Sequence, residues 1–192
     1  SSASMLDRKI VDVIRLKVRK KEERQKAEKW QRALATVEWL LAHLPVDSAV
    51  QIYRFDTRLE PLDPLEPAEW RNATDFRAIN SALEILKKHA PENGTSLVNA
   101  FSGIAAITPA PDNIILITDG LPTQGEKVSS KTTISGEQRV RLFQQAVKKL
   151  PRGIPVNTIL FPIEGDPMAS VLFWKLALDT NGSFFTPTGD WP

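Results

Sequence analysis

The 192 residues are 42% hydrophobic and 25% charged with a formal net charge of +2, the balance of one globular domain with a sizeable core and too little charge for the whole chain to act as a polycation. Cysteine is absent, which excludes disulfides, thiolate metal sites and thiol nucleophiles and leaves the redox compartment open. The longest apolar runs, such as Asn113 to Thr118, are far shorter than a membrane span, and the first residues carry no signal-peptide pattern.

Leu6, Ile10, Val13, Ile14 and Val18 recur at helical spacing, as do Trp30, Ala33, Leu34, Val37, Leu40, Leu41 and Leu44 before Pro45, so one long or broken helix is predicted. Ala49 to Asp56 is a β-prone run followed by Leu59 to Leu62, which reads as a hairpin at a sheet edge closed by the proline-rich stretch Pro61 to Pro67. Phe76, Ile79, Leu83 and Leu86 mark a helix ending near Pro91. Leu97, Phe101, Ile104 and Ala105 mark another after the Asn93-Gly94 turn. Asn113 to Thr118 has the continuous apolar character of a strand buried on both faces, ended by Asp119-Gly120. Ser135 and Gln138 form a capping-box pattern in front of the next helix, and Val156 to Phe161 supplies a further strand. Asp166 and Pro167 open a final helix that closes at Asn181-Gly182, and Ser183 to Thr186 reads as a last strand. Alternating strands and helices predict an α/β, doubly wound, mostly parallel sheet covered by helices on both faces.

Three segments are more than connections: Ser2-Ala3-Ser4-Met5, Asn93-Gly94-Thr95-Ser96 and Thr118-Asp119-Gly120. All lie at helix starts or strand ends, which a doubly wound sheet gathers at one edge, where ligands bind. Each alone has an ordinary explanation, since Asn-Gly is a common turn, Asp-Gly often follows a strand and Ser4 can cap a helix. Together they bring hydroxyls and a carboxylate to one place, the oxygen donors that a small hard cation such as Mg2+ prefers.

The order Ser-x-Ser-Met, Gly-Thr-Ser-Leu and a strand ending in Thr-Asp-Gly resembles the metal-ion-dependent adhesion site of von Willebrand factor A domains of bacterial type, and the likeness covers nearly the whole chain. The family's first motif is Asp-x-Ser-x-Ser. Ser2 and Ser4 match its two serines, and its aspartate would stand immediately before Ser1. By the same resemblance Thr95 is the threonine ligand and Asp119 the second acidic residue, so the implied metal set is Ser2, Ser4, Thr95 and Asp119. The implied cofactor is Mg2+, or another divalent cation such as Mn2+ or Ca2+, and the implied partner is a protein whose acidic residue fills the open coordination position. The family also has an apolar strand upstream of that aspartate, at the centre of the sheet. Residues 1–192 are therefore expected to be a single domain of this type cut within the first motif and lacking its first central strand, with Ala49 to Asp56 and Asn113 to Thr118 flanking the slot. Resemblance to bacterial members implies a membrane-tethered, periplasmic protein whose anchor lies upstream.

The stretch between Met5 and Trp30 is longer than the resemblance implies and strongly basic, with Arg15, Lys17, Arg19, Lys20, Lys21, Arg24, Lys26 and Lys29 interspersed with Glu22, Glu23 and Glu28. A solvated helix with i to i+4 pairs is the expectation; a docking surface for an acidic partner or anionic headgroups is the alternative. No aromatics are interleaved to stack bases, so nucleic acid is not an expected partner.

The expected function is a divalent-cation-dependent protein-binding module and not an enzyme. A metal-dependent phosphatase is the rival, because Asp119-Gly120-Leu121-Pro122-Thr123 is similar to an aspartyl-phosphate loop, but Leu121 stands where such enzymes carry a second carboxylate. A scaffold domain with a degenerate metal site is the third reading. Neither a Gly-x-Ser-x-Gly elbow nor a phosphate-binding glycine loop occurs, and His43 and His89 fall at predicted helix C-termini, where a protonated histidine suits the helix dipole.

Overall fold

A computed structural model describes residues 3–17, 19–62, 69–127, 134–161, 163–188 and 191. A short 3-10 turn, Ala3–Leu6, leads into α1 (Ile10–Lys17), α2 (Lys21–Gln25) and α3 (Glu28–Ala42). The predicted first helix is thus broken into pieces, and α1 and α2 contribute no buried residue. Then come β1 (Ala49–Val50), β2 (Tyr53–Phe55), β3 (Leu59–Pro61) and β4 (Arg71–Asn72), followed by α4 (Phe76–Lys87) and α5 (Leu97–Ala105). The second half alternates regularly: β5 (Ile114–Thr118), α6 (Gly136–Val147), β6 (Val156–Leu160), α7 (Pro167–Asp179) and β7 (Phe184–Phe185).

Side-chain caps fix three of the helix starts, and the one at Ser135 is the capping box that the sequence predicts. The Ser135 hydroxyl accepts from Gln138 N–H and the Gln138 side chain accepts from Ser135 N–H, both at 3.3 Å, satisfying two donors that α6 cannot use internally. Asp75 caps α4 through Ala78 N–H, and Ser96 caps α5 through Asn99 N–H. Asp166 holds the N-cap position of α7 without capping it, its carboxylate being committed elsewhere. At the far end of α7, Asn181 adopts φ 58° and Gly182 N–H closes on the Ala177 carbonyl.

Strands β5, β6 and β7 form a parallel sheet in that order, with Ile114 opposite Val156 and Thr118 opposite Leu160. Alternation along β6 divides the core. Val156 and Leu160 face a cluster with Phe101, Phe143 and Phe173 from α5, α6 and α7, while Ile159 and Phe161 face a second cluster with Trp30 and Leu34 of α3 and Leu86 of α4. Helices therefore cover both faces, as expected of a doubly wound sheet.

The first half departs from the expected single strand Ala49 to Asp56. β1 pairs antiparallel with β4, a two-residue strand the sequence did not signal, and β2 pairs antiparallel with β3. Among the described residues β5 pairs with β6 alone. Beside its other edge lies an apolar cleft of about 520 Å³, lined by Ile115 and Ile117 of β5, by Phe55 of β2 and Ile52 just before it, and by Trp30 and Leu34. The two runs expected to flank a slot do line one. Trp30 is 4% exposed, and its indole N–H has no hydrogen-bond partner among the described residues.

Gly182 is required by close approach: a Cβ there would run into the backbone of Val156, the first residue of β6. Gly136, at the first turn of α6, has open space where a Cβ would stand. Gly182→Ala should therefore destabilise the chain by about 1–3 kcal/mol, as overpacking does, whereas Gly136→Ala should be neutral or stabilise by up to about 1 kcal/mol. Urea denaturation midpoints of the two variants, compared with the parent chain, check the contrast.

Candidate functional site

The carboxyl end of β5 delivers Asp119 to a buried position, 2% exposed, where the chain turns immediately at Gly120. The strand is buried on its Ile114, Leu116 and Thr118 face, but not on both faces as its continuous apolar run predicts, since Ile115 is 44% exposed and Ile117 half-buried beside the cleft. Two other segments meet it. Ala3 N–H donates to the Asn93 carbonyl at 2.8 Å, tying the first turn to the loop before α5. The Thr95 carbonyl accepts from both Thr123 and Gln124 N–H at 2.9 Å, and Thr95 N–H donates to Thr123 Oγ1 at 3.0 Å, tying that loop to the one after β5. A side chain at Gly94 would press on that same Thr123 hydroxyl, at 2.8 Å, so glycine permits the junction. Ser4, Thr95 and Asp119 thus lie in three segments drawn together at one edge of the sheet. Ser2 lies outside the described residues.

The group at the centre of this junction is Lys29. Its ammonium donates to the Ser4 carbonyl at 3.1 Å, to the Asp7 carbonyl at 3.4 Å and to Asp119 Oδ2 at 3.4 Å. Lys29 had been expected on a solvated basic face, yet it is 7% exposed. It is the second residue of α3, so its flanking Trp30, Ala33 and Leu34 turn that side of the helix into the core and carry the lysine with them. Burial pushes its pKa below the ordinary lysine value, opposed by the Asp119 carboxylate. A cation near a helix N-terminus is also disfavoured by the helix dipole, so the ion pair and the two carbonyls offset two separate penalties.

Two further carboxylates shape the edge. Asp166 Oδ2 accepts from Leu121 N–H and from Arg139 Nη2, both at 2.7 Å, and the same Arg139 nitrogen donates to the Leu121 carbonyl at 2.6 Å. This arrangement clamps the loop after Asp119, and a Cβ at Gly120 would stand 2.7 Å from the Asp166 oxygen. Leu121, at the place where a phosphatase-like loop would carry its second carboxylate, is buried in the core instead. At the end of β2, Asp56 Oδ2 accepts from the Asn93 side-chain amide at 2.8 Å, Asp56 Oδ1 accepts from Arg58 N–H at 3.0 Å, and its carbonyl accepts from Ser96 N–H at 2.7 Å. Burial pushes the Asp56 carboxyl up, but the Asn93 amide and the Arg58 N–H outweigh it and hold the pKa below the ordinary aspartate value.

Neither histidine enters the junction. His43 stacks on Trp39 at 4.3 Å, with Nδ1 2.7 Å from the Trp39 carbonyl. His89 has its pKa lowered by burial, with Arg54 and Lys21 adding to the effect, so the protonated form expected at a helix end is disfavoured there.

The donor types suit a hard cation: hydroxyls on Ser4 and Thr95 and a carboxylate on Asp119 are all oxygen. The charge balance does not suit one. Asp119 carries a single negative charge that the Lys29 ammonium already meets. The arrangement therefore does not fit a bound divalent cation while Lys29 keeps this position.

No family model and no curated protein matches the chain. Among solved structures it is similar to a von Willebrand factor type A protein from Catenulispora acidiphila, with a TM-score of 0.53 and 15% identity, over 82% of this chain and 33% of that one. At that identity the likeness shows the fold alone, an α/β fold of von Willebrand factor A type. The chain spans about a third of the length of that protein.

Because the folded-state pKa of Asp56 is depressed, its contribution to stability is fully present above the unfolded-state value of about 3.9 and is lost as pH falls through the folded value. Asp56→Asn should flatten the acid limb of a stability-against-pH curve below about pH 5. It should also lower stability at neutral pH, because an amide cannot accept from both the Asn93 amide and Arg58 N–H without presenting a donor to a donor. Urea midpoints measured across that range, for the parent and the variant, check both effects.

Proposed function

We propose that the chain is a protein-binding module, and that it recognises an acidic group of its partner at the edge where Ser4, Thr95 and Asp119 meet. Domains of this fold generally mediate protein–protein interaction, which makes a protein the expected partner. The observation that carries the location is the convergence of the three segments, held by the Ala3–Asn93, Thr95–Thr123 and Lys29–Ser4–Asp119 bonds. Recognition suits the arrangement better than catalysis: the carboxylate is buried and ion-paired, whereas a nucleophile or general base must reach its substrate with a free lone pair.

In this reading the hydroxyls of Ser4 and Thr95 orient the acidic group, and the buried ammonium contributes a positive potential to the edge. Mg2+ or another divalent cation enters only by releasing Lys29 from Asp119, so cation dependence is a separable part of the reading.

Thr95→Val keeps the side-chain volume and removes the hydroxyl, which makes it a milder probe than Asp119→Ala. The latter strands a buried ammonium and should cost about 3–5 kcal/mol of stability. The test is binding of the folded chain to an array of aspartate- and glutamate-containing peptides beside their amide counterparts, in Mg2+ and in EDTA. Selective binding of acidic peptides that weakens about tenfold or more in Thr95→Val, with an unchanged melting temperature, is the expected result. Equal binding of the amide peptides, or binding indifferent to Thr95, places recognition elsewhere. The basic stretch from Arg15 to Lys26 is then the next surface to test through its salt dependence.

A further inference from the structure

We propose that Lys29 is the resident cation of this site, a built-in ammonium that competes with divalent ions for the Asp119 carboxylate and lets the edge assemble without them. The inference rests on the location given to the site, and its test contains no peptide, so the two can fail independently.

Three observations carry it. First, the ammonium bonds the same Asp119 carboxylate that a hard ion would need, and it also bonds the backbone of Ser4, a proposed ligand residue. Second, both side chains are almost wholly withdrawn from solvent, 6% exposed for Lys29 and 3% for Asp119, so no water shell is available to screen a second cation beside the first. A divalent ion and the ammonium therefore exclude one another. Third, the ammonium makes connections that a bound ion makes in other proteins. It links the turn after Ala3–Leu6 through Asp7, the start of α3, and the end of β5, three elements far apart in sequence. A lysine held at a buried helix start by these three bonds, against both desolvation and the helix dipole, fits a cation that the junction needs.

The prediction concerns Lys29→Met, which keeps the length and apolar stem of the side chain and removes the charge. Thermal melts are recorded for the parent and the variant in EDTA and across a series of MgCl2 concentrations at constant ionic strength. The parent should melt at the same temperature throughout. Lys29→Met should melt lower in EDTA and recover with MgCl2 at concentrations that leave the parent's melting temperature unchanged. Equal Mg2+ responses in the two chains, no response in either, or a variant as stable as the parent in EDTA would each overturn the proposal. If Lys29→Met does not fold, Asp119→Asn and the Lys29→Met/Asp119→Asn pair decide it. The double variant should melt above Asp119→Asn and be indifferent to Mg2+, because it buries no unmatched charge. A double variant no more stable than Asp119→Asn contradicts the assignment.

Discussion

The contact on which the functional edge depends is the buried ion pair between Lys29 and Asp119. Strand β5 ends in an aspartate that has almost no access to water, and a buried carboxylate without a counter-charge is untenable. The ammonium that meets it comes from the first turn of α3 and reaches back to the carbonyls of Ser4 and Asp7. One side chain thereby fixes the N-terminal segment, a covering helix and the end of the buried strand relative to each other. Removing either charge leaves the other uncompensated, which is why the pair constrains the arrangement more than it stabilises the fold.

Around that pair the loops are held by groups whose own helices or strands do other work. Asp166 stands at the start of α7 yet spends its carboxylate on Leu121 N–H and Arg139, so the loop after Asp119 is clamped from α6 and α7 together. Asp56 links the end of β2 to the loop that carries Thr95 through Asn93 and Ser96. The edge is consequently set by side chains from both halves of the chain, and recognition groups placed on it are pre-organised before any partner arrives.

The parallel half of the fold was legible because its signals are local and mutually consistent. The continuous apolar run ending at Thr118, the Ser135/Gln138 capping box and the Asn181-Gly182 stop each specify one conformation, and the structure adopts all three. The first half was less legible. Ala49 to Asp56 alternates like one strand, but pairing with Arg71 and Asn72 on one side and Leu59 to Pro61 on the other splits it at Gln51 and Ile52, and such pairing is a tertiary matter that propensity does not encode. At the site, Ser4, Thr95 and Asp119 could be picked out by residue type and by position at element ends. Lys29 could not, because it sits within a run of charges most of whose other members are exposed. The one clue was its place beside Trp30 and Ala33 on the apolar face of α3.

Nitrogen-15 NMR of the lysine side chains tests the central pair most directly. An ammonium enclosed by two carbonyls and a carboxylate, with 6% of its side chain exposed, exchanges its protons slowly and is held close to the residues that bind it. The account predicts one protected lysine Nζ signal, removed by Lys29→Met, with cross-relaxation to Ser4 and Asp7. A spectrum in which every lysine ammonium exchanges at the rate of an exposed side chain would contradict it.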